Sequence, residues 1–367
     1  MDKNRIGINQ LALLYLLSIA GGKFLTLPSI LAKDVGHDSW LVLLFSFLWD
    51  AICLVFLLFA VRLNQEKQLD ISAILDRTVT KVVSKIVMAI FFAIFIIRAN
   101  ILLSSCYKMF AVTFDVSTNW IVYVIPIVVI SFFAVKLGFN SIARTTQLLF
   151  GIIFICVFVL VFSPISQVEF TSLLPVGEAG WGKILATSFT RSFWFSDYLF
   201  IYFVFDSIKV NKNRVFAPVI VAFVIGAVLT VLMNAMFVAL YGDLAQDFDL
   251  AMTKIGVYFV SNSSNGRWDW LTLSIWLMSV IIKIIVFIYC AYKSLEKIFG
   301  FNKDKFNWYA GVFIVALLML PMFISADVVL STVVMWGLVP FVLVQYLLPI
   351  ALPFLTKLAL RKEVANG

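Results

Sequence analysis

Ten stretches of about twenty apolar residues dominate the chain, near 10–32, 39–62, 82–109, 119–139, 146–164, 184–207, 215–241, 268–292, 306–326 and 329–356. About twenty residues of α-helix cross the hydrocarbon core of a bilayer, and a spanning backbone must satisfy its own hydrogen bonds. The expected fold is therefore an all-α polytopic membrane protein of ten transmembrane helices, a single transmembrane domain over residues 1–367. Composition agrees, since 63% of the residues are hydrophobic and only 13% are charged, well beyond the apolar share of a soluble domain. The first apolar run follows Lys3 and Arg5, but it is too long for a secretory signal core and lacks a small-residue cleavage pattern, so it reads as a retained helix.

An even number of spans puts both termini on one side, and the distribution of cations decides which. With the termini cytoplasmic, nineteen of the 28 Lys and Arg fall at inner ends and loops, five lie outside and four lie within spans. The net charge of +8 then needs no nucleic-acid partner, because inner lysines beside anionic lipid account for it. Two loops carry helical patterning of their own. In 69–83, Leu69, Ile71, Ile74, Leu75, Val79, Val82 and Val83 share one side, which predicts a helix lying along the inner interface. In 244–259, Leu244, Phe248, Met252, Ile255 and Phe259 recur at helical spacing with Asp243, Asp247 and Asp249 turned to water, which predicts an outer re-entrant or lid helix.

Catalytic chemistry has little to build on. Cys53, Cys106, Cys156 and Cys290 all fall in apolar runs and read as buried small hydrophobes, not as a disulfide framework or zinc site. His37 is the single histidine and sits in a short loop, which removes His-based metal sites and Ser-His-Asp triads. No cofactor is expected, and an enzyme is the least favoured reading.

Ionisable residues within spans are costly and face a bundle interior, a partner or a cavity. Here they are Lys23, Asp50, Arg98, Arg191, Asp197, Asp206 and Lys283. Asp206 lies near Lys209 and Lys212 and reads as an interfacial charge. The rest are four cations against two carboxylates, an excess that leaves a cation to meet the carboxylate of a ligand. Lys23 coincides with a glycine pair in "GGKFLTLPSI", residues 21–30. Two glycines weaken a helix by roughly 1 kcal/mol each, and Pro28 withdraws another donor, which predicts a break in helix 1 at mid-membrane. Transporters built on inverted repeats place such a break at their binding site, opposite helix 6. Helix 6 reads "ATSFTRSFWFSDYLFIYF", polar in its first half but without glycine, so a break there is expected to come from Ser/Thr back-bonding.

The opening "INQLALLYLLSIAGGKFLTLPSILAKDVGHDSWL", the "FSD" of residues 195–197 and "GRWDWLTLSIWLMSVIIKIIVFIYCAYKSLEKIFG" from residue 266 resemble the B subunits of bacterial spore nutrient germinant receptors. The likeness extends over nearly the whole chain, with Trp276, Lys283 and Tyr289 matching in helix 8, whereas "FSD" stands where "FGE" is usual. The resemblance implies membership of the amino acid, polyamine and organocation transporter superfamily, with a LeuT-like five-plus-five inverted repeat. Repeat one would cover about 10–164 and repeat two about 184–326, followed by helix 10 at about 329–356 and a cytoplasmic tail, 357–367. It also implies a germinant-sensing subunit in the spore inner membrane, acting with a larger membrane A subunit and a C-subunit lipoprotein on an amino acid, sugar or other small nutrient. In a bacterial protein the glycosylation-like "NSS" at Asn262 to Ser264 reads as loop composition.

In such folds helices 1, 3, 6 and 8 surround the site. Here they select Gly21, Gly22, Lys23 and Phe24, then Arg98, then Ser192, Phe193, Trp194, Ser196 and Asp197, then Lys283 and Phe287. Gly21 and Gly22 would offer backbone donors, with Phe24, Phe193 and Trp194 as walls. Arg98 and Lys283 would neutralise Asp50 or Asp197 or touch the ligand, and a fixed cation would stand where a coupled transporter binds sodium. Two other functions use the same fold: a cation- or proton-coupled amino-acid permease, and a structural subunit with a vestigial pocket.

Overall fold

The structure is a computed structural model that describes residues 6–65, 67–113, 119–162, 164–205, 208–209, 216–251, 253–255, 269–301, 306–320 and 339–366. Helices α1 (Ile8–Val35) and α2 (Ser39–Leu63) flank a 3₁₀ turn at Gly36–Asp38, and are followed by α3 (Ile71–Thr78), α4 (Lys81–Thr113), α5 (Trp120–Leu137) and α6 (Phe139–Phe162). Then come α7 (Trp181–Thr190), α8 (Phe216–Tyr241), α9 (Asp269–Phe299), α10 (Trp308–Met319) and α11 (Leu348–Asn366). A two-residue parallel ladder pairs β1 (Ile6–Gly7) with β2 (Ile208–Lys209), tying the start of α1 to the chain beyond residue 205.

Seven described stretches are long and apolar enough to cross a membrane, the first of them, 8–63, holding both α1 and α2. The protein is thus an integral multi-pass membrane protein. Its apolar surface faces outward as well as inward: along α2, Phe47, Asp50, Leu54 and Leu57 are buried while Leu48, Ile52, Val55 and Phe59 are exposed. That two-sided pattern is what a helix needs when its outer face meets lipid. Segments 306–326 and 329–356 are described only to 320 and from 339, and Asp206, Met252, Phe259, residues 262–264 and the cations Lys3, Arg5, Lys212, Arg214, Arg267, Lys303 and Lys305 lie outside the described residues.

The central element is α1, apolar on all sides and buried on nearly all. It rests chiefly on α8, α9 and α6, while α9 rests on α4 and α6. Contrary to the expected break, α1 is helical without interruption from Ile8 to Val35 and runs through Pro28. The glycines serve close packing instead. A Cβ on Gly21 would lie 2.9 Å from Ser279 Oγ and 3.1 Å from the Ser279 carbonyl carbon and oxygen, whereas one on Gly22 would meet the ends of flexible side chains, Leu102 at 2.9 Å and Lys283 at 3.3 Å. Small residues that let helix backbones approach are the usual seam of membrane bundles.

The break falls in the sixth segment. There α7 ends at Thr190, Ser192–Trp194 forms one 3₁₀ turn, Ser196 is left-handed at φ 63° and ψ 41°, and a second 3₁₀ stretch runs Asp197–Phe203. Ser/Thr back-bonding is present just before it, from Ser188 Oγ to the Leu185 carbonyl at 2.7 Å and from Thr190 Oγ1 to the Thr187 carbonyl at 3.3 Å. The left-handed residue, however, is Ser196.

Two loop expectations change. The interfacial helix α3 stops at Thr78. Asp70 caps it, accepting from the Ala73 amide at 2.8 Å, and Leu69, Ile71, Ile74 and Leu75 turn inward. Val79 ends it at φ −111°, ψ −101°, so Val82 and Val83 belong to α4 and stay exposed together with Val79. On the other loop, Gly242–Asp247 is a 3₁₀ turn. Its three-residue period buries Ala245 and leaves Leu244 61% exposed.

Two predictions follow from this packing. Alanine raises helix propensity by about 1 kcal/mol over glycine, but overpacking costs about 1–3 kcal/mol where backbone must move. Gly21→Ala is therefore expected to lower the thermal midpoint of the detergent-purified protein while Gly22→Ala leaves it nearly unchanged; equal effects would contradict the close approach of α1 and α9. The second concerns Asp70. Burial would raise its carboxyl, but the hydrogen bond and charge of Lys297, with Ser72 and the Ala73 amide, hold it well below the usual carboxylate range. A lowered folded-state pKa gives stability that is complete above the unfolded value of about 4 and is lost as pH falls through the folded one. Asp70→Asn is expected to cost about 1 kcal/mol at pH 7, with the gap from wild type closing only in acid. A gap independent of pH would refute this.

Candidate functional site

Asp197 opens the second 3₁₀ stretch of the sixth segment and is 2% exposed. Its Oδ2 accepts from Lys23 of α1 and its Oδ1 lies 2.8 Å from Lys283 Nζ of α9. One buried carboxylate thus joins three elements that are distant in sequence. Lys23 Nζ also stands 5.7 Å from the Phe47 ring centre and 5.6 Å from that of Phe195, and Lys283 Nζ stands 5.6 Å from that of Phe287, so aromatic faces supplement the ion pairs.

Asp50 and Arg98 do not pair with each other. They meet at Ser196. The Ser196 amide donates to Asp50 Oδ2 at 2.8 Å, its hydroxyl donates to Asp50 Oδ1 at 3.2 Å, and Arg98 Nη1 donates to the Ser196 carbonyl at 3.4 Å. Arg98 lies over Phe193, its Cζ 5.1 Å from the ring centre. It is 5% exposed, and among the described residues neither its Nε nor its Nη2 has a hydrogen-bond partner. Buried donors left unmade are expensive.

Arg191 stands apart. Its Nε and Nη2 donate to the two carboxylate oxygens of Asp34 at 2.6 and 2.7 Å. The internal excess of four cations over two carboxylates is therefore three over two, Lys23, Arg98 and Lys283 against Asp50 and Asp197.

A narrow cleft, with room for little more than one water molecule as it stands, opens among these groups. Of the residues expected at the site, Gly22, Lys23, Arg98, Phe193, Trp194, Asp197, Lys283 and Phe287 line it. Gly21, Phe24, Ser192 and Ser196 are buried and do not line it. The amides of Gly21 and Gly22 lie within an unbroken helix, so these residues shape the wall by their size rather than by freed donors. Ile101 and Leu102 also line the cleft and were missed, although the spacing i+3 and i+4 from Arg98 marks them as its neighbours on one helix face. Asp34, the partner of Arg191 away from the cleft, was not singled out in the sequence.

Known proteins extend these observations. The family described as spore germination protein matches residues 5–328. No curated protein matches the chain. Two solved structures of variants of the manganese transporter of Eremococcus coleocola are each 13% identical, with 98% of this chain and 77% of theirs covered and TM-scores of 0.51 and 0.50. At that identity the likeness carries the fold alone, that of a LeuT-type membrane transporter. With a family match over nearly its whole length, the chain belongs to the spore germination protein family of permease-like membrane proteins.

Proposed function

We propose that the protein is the membrane B-type subunit of a spore germinant receptor, which binds a small nutrient in the cleft between α1, α4, α9 and residues 192–197 and signals germination through its partners. The reading places it in the spore inner membrane with both termini cytoplasmic. It has ten spans arranged as two inverted five-helix repeats, beside a membrane A subunit and a C-subunit lipoprotein. Family membership and the family resemblance support the setting, and inner-side lysines and arginines support the orientation.

The observation that carries the binding reading is Arg98, a buried guanidinium at the cleft with two nitrogens unpartnered among the described residues. A ligand carboxylate placed there satisfies both nitrogens and balances the one-charge excess. Phe193, Trp194 and Phe287 supply apolar walls, and Trp194, the least buried of the three, is the side chain able to swing and widen a cleft that is narrow as it stands. A divalent cation is a poor cargo for a site with three fixed cations and two engaged carboxylates. The proposal therefore does not extend the manganese of the structural neighbours to this chain. Binding becomes signalling when the nutrient favours one of two conformations, as differential affinity requires.

Spores lacking the gene, tested across single amino acids and sugars, are expected to lose one nutrient response. Replacing the wild-type gene with Arg98→Gln at equal protein level should raise the half-maximal nutrient concentration about tenfold to a hundredfold, the equivalent of a lost charged hydrogen bond. An unshifted response would remove Arg98 from the site, and net uptake of the nutrient into vesicles would favour a permease over a sensor.

A further inference from the structure

We infer that Asp50, which lies outside the cleft on α2, is the positioning residue of the site, holding the sixth segment in the shape that assembles it; this rests on the nutrient-binding reading above. Ser196 is one of two non-glycine residues at positive φ among those described, and it is fully buried. A side chain in that conformation carries a steric penalty that persists only where neighbours over-determine it. Asp50 supplies the determination. Both of its carboxylate oxygens are spent on Ser196, one on the amide and one on the hydroxyl, and among the described residues it forms no ion pair within 4 Å.

The turn has two consequences for the cleft. On its N-terminal side Phe193 and Trp194 face the cavity, and on its C-terminal side Asp197 faces Lys23 and Lys283. Were Ser196 to relax to the right-handed basin, the chain direction after it would change and Asp197 could not keep both lysines while Phe193 stays against Arg98. A left-handed turn usually takes glycine. Here an acid on a neighbouring helix does the work of the missing glycine, which explains how a segment without glycine is broken at all.

The alternative role for Asp50 is a simple counter-charge for the cluster, and a substitution series separates the two. Amide exchange of peptide 192–198, measured on the full-length protein in lipid nanodiscs without nutrient, reads the turn by itself. Asp50→Ala is expected to accelerate it about tenfold or more and to raise the half-maximal nutrient concentration for germination. Asp50→Asn, uncharged but still able to accept from the Ser196 amide, should have a smaller effect on both, and adding Ser196→Gly to Asp50→Ala should return the nutrient response toward wild type. If Asp50→Asn is as damaging as Asp50→Ala and glycine restores nothing, Asp50 acts by charge and the inference falls; it falls equally if exchange is unchanged in Asp50→Ala. Faster exchange with every nutrient response unaltered would keep the turn assignment and overturn the nutrient reading instead.

Discussion

Two helices and the broken sixth segment of this bundle converge on one almost wholly buried carboxylate, Asp197. Taking an ion out of water costs several kcal/mol even after the protein relaxes, so Asp197 at 2% exposure is tolerable only because Lys23 and Lys283 reach it from two sides. That requirement fixes relative positions: α1 must present residue 23, α9 must present residue 283, and the sixth segment must bring Asp197 between them. The close approach of α1 to α9 at Gly21 and Ser279 brings the two lysine-bearing helices together. Packing and electrostatics here are one constraint.

The cluster is also unfinished in a definite way. Two lysines and Asp197 form a complete unit, and Asp50 is consumed by Ser196, which leaves Arg98 bonded through one nitrogen while it lies over Phe193. A core built for stability alone would replace such a group by an apolar one, because well-packed hydrophobic residues equal or outperform buried ion pairs. The unsatisfied cation beside the cleft is the feature on which the proposed ligand site rests. Local strain at Ser196 belongs to the same economy, since an unfavourable backbone held by tertiary partners is typical of sites that must change shape.

Much of the membrane architecture was legible in the sequence because hydropathy and helix length are local properties. Eight of the twelve expected site residues also line the cleft, the charged ones legible as intramembrane charges and the others selected by the family resemblance. The break in the sixth segment was anticipated from its polar first half, but the stronger expectation, a break in helix 1, was misplaced. "GG" followed by Lys23 and Pro28 reads as a weak helix, yet the same letters are what a tight helix seam requires, and only the neighbour at Ser279 decides between them. The left-handed turn at Ser196 was hinted at only by the family resemblance, where glycine is usual, because the turn depends on Asp50, 146 positions away. Asp34 was overlooked as the partner of Arg191 because it sits just past the apolar run, and α3 was drawn too long because the apolar pattern continues into α4 while the backbone turns at Val79.

The central claim is that the cleft beside Asp197 and Arg98 is a nutrient site. Direct binding tests it best: a panel of radiolabelled amino acids and sugars titrated onto the purified full-length protein in nanodiscs, alongside a variant whose cleft is filled by Leu102→Trp and whose thermal midpoint matches wild type. The account predicts saturable binding of one nutrient at one site per chain, lost in the filled variant. Saturable binding that survives the filled cleft would place the site elsewhere and contradict it.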